Sequence, residues 1–257
     1  MTTQNNAQLD EALAALAAAP SLLVCLDFDG TLSEHVTDPY AASAHPAALT
    51  AIADLASQPG TQVAVLSGRH LEGLRAVFPL RDPVVLVGSH GAEPTEGGPE
   101  LSAADAAYLD RIESELRRIA TPPAYVEVKP YQRVLHVAPV VETDPAAAEA
   151  ILKEGLSIDT EGRPVTPGHN LVEFSALDVS KGDWLAEYKR SFDVTFFAGD
   201  DTTDEFAMAA LGPNDVGIKV GEKPSVATLR VPTVTRMAHF LTELASARRA
   251  AQPSRPE

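Results

Sequence analysis

Short runs of Val, Leu, Ile, Ala and Phe alternate along this chain with stretches whose apolar residues recur at helical spacing. Ser21–Leu26 (SLLVCL) is apolar at every position after the serine, as in a strand covered on both faces of a parallel sheet. The pattern then predicts a helix over Ala47–Ala56, a buried strand at Gln62–Leu66, a helix over His70–Val77 and a strand at Val84–Val87. In the last third, Asp183–Tyr188 reads as helix, Thr195–Ala198 as a buried strand and Asp204–Ala210 as helix. Met237–Arg249 reads as a closing helix, with Ala250–Glu257 frayed.

The middle of the chain has a different rhythm. Ala103–Ala120 sets Leu109, Ile112, Leu116 and Ile119 on one helical face. Two alternating segments follow, Ala124–Val128 and Arg133–Val137, then a helix at Pro145–Lys153 and strand-like runs at Arg163–Thr166 and Leu171–Phe174. Helix-strand-strand-helix-strand-strand describes an α+β insert in an α/β host. Pro94–Pro99 and Ser175–Ser180, turn-rich and short of apolar residues, are the hinges this reading requires.

Charge narrows the function classes. Among 257 residues, 20 Lys+Arg face 36 Asp+Glu, a net charge of −16. Such a chain is a poor counterion for nucleic acid and is repelled by anionic membrane surfaces, so neither is an expected partner. The first Lys or Arg is Arg69, which fits neither a secretory signal nor a transit peptide, and the Ala12–Ala19 run is too short to span a bilayer. Cys25 is the only cysteine, which excludes a disulfide framework within the chain and a cysteine metal cluster, and it reads as a small buried strand residue. The expectation is a soluble cytoplasmic protein, with the oligomeric state open and compatible with a monomer.

Candidate chemistry gathers where predicted strands end. Asp27-Phe28-Asp29-Gly30-Thr31-Leu32 directly follows the first strand, with Gly30 permitting a sharp turn. Two carboxylates this close repel, so both stay ionised only around a cation, and Mg²⁺ with its preference for oxygen ligands suits them. A plain surface turn also uses Asp-Gly. The later ligands of an EF-hand are missing. After the Thr195–Ala198 strand comes Gly199-Asp200-Asp201-Thr202-Thr203-Asp204-Glu205, which also has the composition of a helix start. Between these lie Ser67-Gly68-Arg69 and Ser180-Lys181-Gly182, where a hydroxyl, backbone N–H groups and a compact cation could meet an anion.

In this order and at these strand ends, DFDGTL, SGR, SKG and GDDTTDE resemble the four motifs of the haloacid-dehalogenase-like phosphatases. Gly88-Ser89-His90-Gly91-Ala92-Glu93, the Glu127-x-Lys129 and His136 pattern, and Glu173 bring the resemblance closer to the trehalose-6-phosphate phosphatases, from about Ser21 to Leu244. The resemblance implies an α/β fold: a Rossmann-like parallel-sheet core of residues 1–100 and 177–257, with an inserted α+β cap of residues 101–176 that sets substrate specificity.

It further implies Mg²⁺-dependent hydrolysis of trehalose 6-phosphate, a small-molecule sugar phosphate. Asp27 would be the nucleophile, Asp29 the general acid/base, Ser67 a phosphate ligand and Lys181 a neutraliser of charge. Mg²⁺ would be held by Asp27, Asp200 and the Asp29 main-chain carbonyl, with Asp201 and Asp204 acting through water or by orienting Lys181. Arg69, His90, Glu93, Lys129, His136 and Glu173 would contact substrate, and Mg²⁺, Lys181 and Arg69 together would invert the chain's negative field at the site. The sequence departs from the family at His136-Val137-Ala138, where an arginine commonly stands two residues after the histidine, leaving Arg133 or Lys129 as its substitutes. Rival readings are a capped phosphatase for sucrose phosphate, mannosyl-phosphoglycerate or a hexose phosphate, and an inactive sugar-phosphate-binding regulator.

Overall fold

The structure, a computed structural model, describes residues 3–251, with side chains from residue 5 onward. The chain begins with α1 (Thr3–Ala18), β1 (Leu22–Leu26), α2 (Pro46–Ser57), β2 (Thr61–Leu66), α3 (Leu71–Val77), β3 (Val85–Gly88) and β4 (Glu93–Pro94). Next come α4 (Ala103–Ile119), β5 (Tyr125–Val128), β6 (Gln132–His136), α5 (Ala138–Val141), α6 (Pro145–Gly155), β7 (Val165–Gly168) and β8 (Leu171–Ser175). The last third holds α7 (Lys181–Tyr188), β9 (Val194–Gly199), α8 (Thr202–Ala209), β10 (Val216–Val220), β11 (Leu229–Val231) and α9 (Val234–Ala251). Two compact units result, Met1–Gly97 with Val179–Glu257, and Gly98–Asp178.

The first unit is an α/β fold built on a seven-stranded sheet of order β11-β10-β9-β1-β2-β3-β4, parallel except for the β3–β4 pair. All five residues of β1 are buried because helices cover both faces. Strand alternation divides them: Leu22, Val24 and Leu26 enter one apolar cluster with residues of α1, α2 and α9, while Leu23 and Cys25 enter another with Leu185, Ala207 and Met208. β1 lies between β2 and β9, so strand order reverses there, and open α/β sheets bind ligands in the crevice at such a point.

Several elements were not legible in advance. β10 contains a glycine and the buried Lys219, and β11 is three residues long, so neither shows an apolar run. α1 had been visible only as a helix-length apolar run. α9 extends through Ala250 and Ala251, which corrects the frayed end expected there; the rest of that expectation, residues 252–257, lies outside the described residues. Among the described residues no helix is long and apolar enough to cross a membrane.

The second unit is a four-stranded antiparallel sheet of order β5-β6-β8-β7. One face carries Leu135, Val172 and Phe174 into a cluster with Leu109, Ile112, Leu116 and Ile119 of α4, the face the sequence pattern marked. α5, with Pro139 in its first turn, was not foreseen. β7 starts at Val165; Arg163 lies outside the ladder, with its guanidinium on Asp105 (3.0 Å) and 4.4 Å over the Tyr108 ring.

Arg248 of α9 is the first unit's main polar tie. Only 2% exposed, it donates to the carbonyls of Leu16, Ala17, Ala19 and Gly60 and to Thr61 Oγ1, gathering the end of α1 and the start of β2. Helix-end carbonyls need such donors. Arg248→Met fills the space but leaves buried oxygens unmatched, an expected loss of about 2–4 kcal/mol in urea unfolding followed by circular dichroism. A loss below about 1 kcal/mol, the worth of one ordinary hydrogen bond, would show that water replaces the guanidinium.

Candidate active site

Register explains why the acidic residues meet. Leu26 pairs with Val65 on one side and Ala198 on the other, so Asp27, Ser67 and Asp200 leave their strands at the same edge. The Asp27 N–H donates to Ala198 O, carrying the ladder one residue further. Gly30 then turns with φ +80°, and a Cβ there would collide with the Asp200 carboxylate. The glycine therefore serves two purposes: a left-handed turn, and room for a carboxylate against the backbone.

Lys181 is the first residue of α7. Ser180 caps the helix by accepting the Asp183 N–H, and the Asp183 carboxylate accepts from the Ser180 N–H and hydroxyl. At Gly182 a Cβ would lie 2.5 Å from Phe206 O, so glycine allows α7 to close on α8. The three letters S-K-G thus encode a cap, a charge and a close approach. Lys181 Nζ, buried, donates to Asp27 Oδ1 (2.6 Å) and Asp204 Oδ1 (2.7 Å).

Asp204 is fully engaged, since its other oxygen accepts the N–H groups of Asp200 and Asp201, each at 2.9 Å. The helix-start composition and the lysine contact therefore belong to one side chain. Asp201 instead turns outward to Lys223 (2.8 Å). Asp27, Asp200 and Asp204 each bring a carboxylate oxygen within 4.8 Å of the others. Asp27 Oδ2 and Asp200 Oδ1 are buried without a hydrogen-bond partner among the described residues. Orphaned buried oxygens are costly. An all-oxygen donor set fits a hard divalent cation, and so does the charge, because three carboxylates and one ammonium leave −2.

The electrostatics follow from that excess. Burial, reinforced by the Asp204 charge, pushes the Asp27 carboxyl up to about 8, with Lys181 pulling against it. Burial would lower the Lys181 pKa, but Asp204 and Asp27 outweigh it and hold the lysine well above its ordinary value. Lys181 therefore stays cationic, and the surplus proton of the cation-free cluster belongs on Asp27. His35 Nε2 lies 3.1 Å from Asp200 Oδ2, and that contact raises the imidazole's pKa.

Around this centre the structure places the remaining expected residues. Asp29 is gripped by Arg69: Nε donates to Oδ2 and Nη2 to Oδ1, both at 2.7 Å. Ser67 is buried and its Oγ accepts the Arg69 N–H. Ser89 and His90 both have positive φ, 48° and 56°, and the Ser89 N–H donates to Arg69 O while the His90 N–H donates to Ser67 O. Two successive non-glycine residues in that region mark stored backbone strain. Glu93 accepts from Ser89 Oγ (2.5 Å) and the Leu71 N–H (3.2 Å).

In the second unit, Glu127, Val134 and Glu173 are cross-strand partners, so Glu127, Lys129, His136 and Glu173 share the sheet face opposite α4 and α6. Lys129 Nζ donates to Glu173 (2.7 Å), His136 Nε2 pairs with Glu127 (2.8 Å), and Tyr125 stacks on the His136 ring at 4.6 Å. Arg133 is committed to Glu113 and to the carbonyls of Lys129 and Gln132, so it does not stand free to replace the missing arginine.

Sequence reasoning missed His35, Lys223, Lys219 and Ser89. Lys219 donates to Asp201 O (3.1 Å) and Glu205 (2.6 Å) from beneath the acidic loop. None of the three basic residues lies in a recognised motif. Ser89 lies inside one, and its left-handed backbone had no local signal.

Parallel strands around β1, with a carboxylate pair after the first and an acidic loop after β9, define a haloacid-dehalogenase-like fold. The family model described as trehalose-phosphatase matches residues 25–236, and the chain belongs to that family. Trehalose-phosphate phosphatase of Mycobacterium ulcerans is 33% identical over 264 residues, spanning 93% of this chain and 66% of that protein. The chain thus covers just under two thirds of that relative's length. The C-terminal domain of C. albicans trehalose-6-phosphate phosphatase superposes with a TM-score of 0.77 at 20% identity, over 93% of this chain and 96% of that one. The C-terminal domain of the Candida albicans trehalose synthase regulatory protein gives 0.67 at 15% identity, over 93% and 97%. At such identities the structural likeness is one of fold.

A divalent cation needs Asp27 as the anion, so its binding should expel the proton held at about 8. Mg²⁺ titrated calorimetrically at about pH 7, in buffers of different ionisation enthalpy, should release most of one proton. Release should fade by about pH 9.5, where Asp27 is already ionised, and the apparent affinity should rise with pH until then. Proton release independent of pH would show that Asp27 is no ligand.

Proposed function

We propose that this chain is a Mg²⁺-dependent phosphatase that hydrolyses trehalose 6-phosphate to trehalose and phosphate through an aspartyl-phosphate on Asp27. The observation that carries the reading is the Asp27 carboxylate: buried, one oxygen on Lys181, the other without a hydrogen-bond partner among the described residues and beside Asp200. A nucleophile so held faces phosphorus with its repulsion already reduced.

Asp27 Oδ attacks phosphorus as the bond to the sugar oxygen breaks, and Asp29 gives its proton to that oxygen. Water then attacks the phosphorus, Asp29 takes its proton, and Asp27 departs as the carboxylate. Ser67 and Lys181 hold phosphoryl oxygens, while Asp204 keeps Lys181 aimed and Asp201 shapes the loop. Asp27, Asp200 and the Asp29 main-chain carbonyl would hold Mg²⁺, which supplies charge neutralisation at the phosphoryl group. Lys129, His136 and Glu173 of the inserted unit, read as the cap, are the candidates for recognising sugar hydroxyls, and His90 and Glu93 are the candidates on the first unit. A cytoplasmic location accords with this substrate class.

The fold is shared with a domain whose name is regulatory, so the fold alone does not separate an enzyme from a binding module. Asp29, beside the nucleophile, supports the enzyme reading, because a protein that only binds needs no general acid there. The other sugar-phosphate substrates differ from trehalose 6-phosphate only in what the cap must recognise.

Purified protein should hydrolyse trehalose 6-phosphate in a panel of sugar phosphates, lose activity to a chelator and regain it with Mg²⁺. Asp27→Asn should reduce turnover by at least about a thousandfold. Normal turnover by that variant would sink the mechanism, and preference for another sugar phosphate would redirect the substrate assignment.

Lys129→Ala, His136→Ala and Glu173→Ala should each lower kcat/KM for trehalose 6-phosphate about ten- to hundredfold, the worth of a hydrogen bond to a charged group. Hydrolysis of a small aryl phosphate should stay within about threefold. If all three variants keep the ratio of the two activities unchanged, the cap does not read the sugar.

A further inference from the structure

Arg69 follows the hydroxyl of Ser67 at the phosphate-binding edge, where a guanidinium would ordinarily meet substrate phosphate. Its contacts point elsewhere. The side-on fork, Nε with Nη2, is spent on both oxygens of Asp29, and Nη1 donates to Pro39 O (2.7 Å). The guanidinium carbon lies 5.4 Å from the centroid of the buried Phe28 ring, and the side chain is 14% exposed. Its backbone is fixed as well, the N–H on Ser67 Oγ and the carbonyl on the Ser89 N–H. Asp29 is the looser partner, 31% exposed, and it precedes the Gly30 turn.

Resting on the phosphatase reading above, we infer that Arg69 is a positioning residue: its fork fixes the Asp29 carboxyl for proton transfer to and from the sugar oxygen, in place of a contact with phosphate. A bidentate guanidinium–carboxylate pair sets distance and plane together, which a single hydrogen bond cannot do. Each carboxylate oxygen has two lone-pair sites, so the fork leaves one on each oxygen for the transferred proton. Asp29 carries its proton into the first step, and once that proton has gone to the sugar oxygen Arg69 cancels the charge left on the carboxylate until attacking water returns a proton. The chemical balance is unchanged: the Asp27–phosphorus bond forms, the phosphorus–oxygen bond to the sugar breaks, and Asp29's proton moves to that oxygen.

The positioning role predicts a dependence on leaving group. Sugar alkoxide needs a proton as it departs, whereas 4-nitrophenolate does not. With saturating Mg²⁺, Arg69→Gln should slow single-turnover release of trehalose about ten- to hundredfold, the cost of a misplaced acid. The first-turnover burst of nitrophenolate and both KM values should change by less than about threefold. Arg69→Lys keeps the charge but loses the fork, and should restore only part of the trehalose rate. In an Asp29→Asn background, Arg69→Gln should cost less than about threefold more, because the two act as a unit.

Equal losses for both substrates with raised KM would make Arg69 a phosphate ligand and overturn the inference, and so would full additivity with Asp29→Asn. Matching thermal unfolding midpoints separate these outcomes from misfolding, and Arg69→Lys provides the comparison if Arg69→Gln is unstable. Wild-type turnover tests the underlying reading. Failure to hydrolyse any phosphate ester would overturn both, whereas normal wild-type hydrolysis with equal losses in the variants would overturn the role of Arg69 alone.

Discussion

Lys181 sits 2% exposed between the carboxylates of Asp27 and Asp204, and much of the core's local architecture is arranged to keep it there. A buried ammonium is tolerable only when its donors are matched and its charge is met. Asp204 supplies a counter-charge and, through its second oxygen, ties that charge to the loop leaving β9. Ser180 and Asp183 fix the helix turn from which the lysine starts, and Gly182 lets α7 approach α8. Removing any of these would leave a charge in a dry site without its partner. The ion pair is therefore less a source of net stability than a constraint that positions the end of β1, the end of β9 and the start of α7 together.

The same logic reconciles an acidic protein with the anionic substrate proposed for it. The chain's −16 is a property of its whole surface, screened over roughly 8–10 Å at physiological salt. Within the site, charge is settled contact by contact. Arg69 cancels Asp29, Lys181 offsets part of the buried carboxylate cluster, and the remaining −2 is what one divalent cation would neutralise. His35 approaches the Asp200 carboxylate and Lys223 those of Asp201 and Asp200 from the exposed side, while Lys219 donates to the Asp201 main-chain carbonyl and to Glu205. Net charge thus decides which partners are repelled at a distance, while the arrangement of a few side chains decides what can be held.

What could be read in the sequence was whatever the chain encodes locally. β1 announced itself because burial on both faces removes the polar half of the alternation, and α4 because one face alone is apolar. DFDGTL and GDDTTDE were readable as strand-end acidic loops, and S-K-G as a helix start. The unread features are settled by distant partners. Arg248 falls within the closing helix that the pattern predicts, yet it serves carbonyls some 190 to 230 residues away. Lys219 broke the pattern of a strand because its ammonium has an acceptor, Glu205, on another element. Arg69 had the composition of a phosphate ligand, and only the fold revealed that Asp29 takes its fork.

Fold likeness and site chemistry therefore carry different weight. A Rossmann-like sheet can be preserved by any set of apolar residues that fills its two helical layers, so a superposition says little about what the strand ends do. The strand ends here carry features that packing does not require. Asp27 Oδ2 and Asp200 Oδ1 are buried without hydrogen-bond partners among the described residues, and Ser89 and His90 hold left-handed backbone beside Ser67. Each such feature costs of order 1–3 kcal/mol in an otherwise well-satisfied core. Unmatched oxygens and strained turns gathered at one switch point of the sheet are features that the proposed cation and anionic ligand would explain and that packing does not.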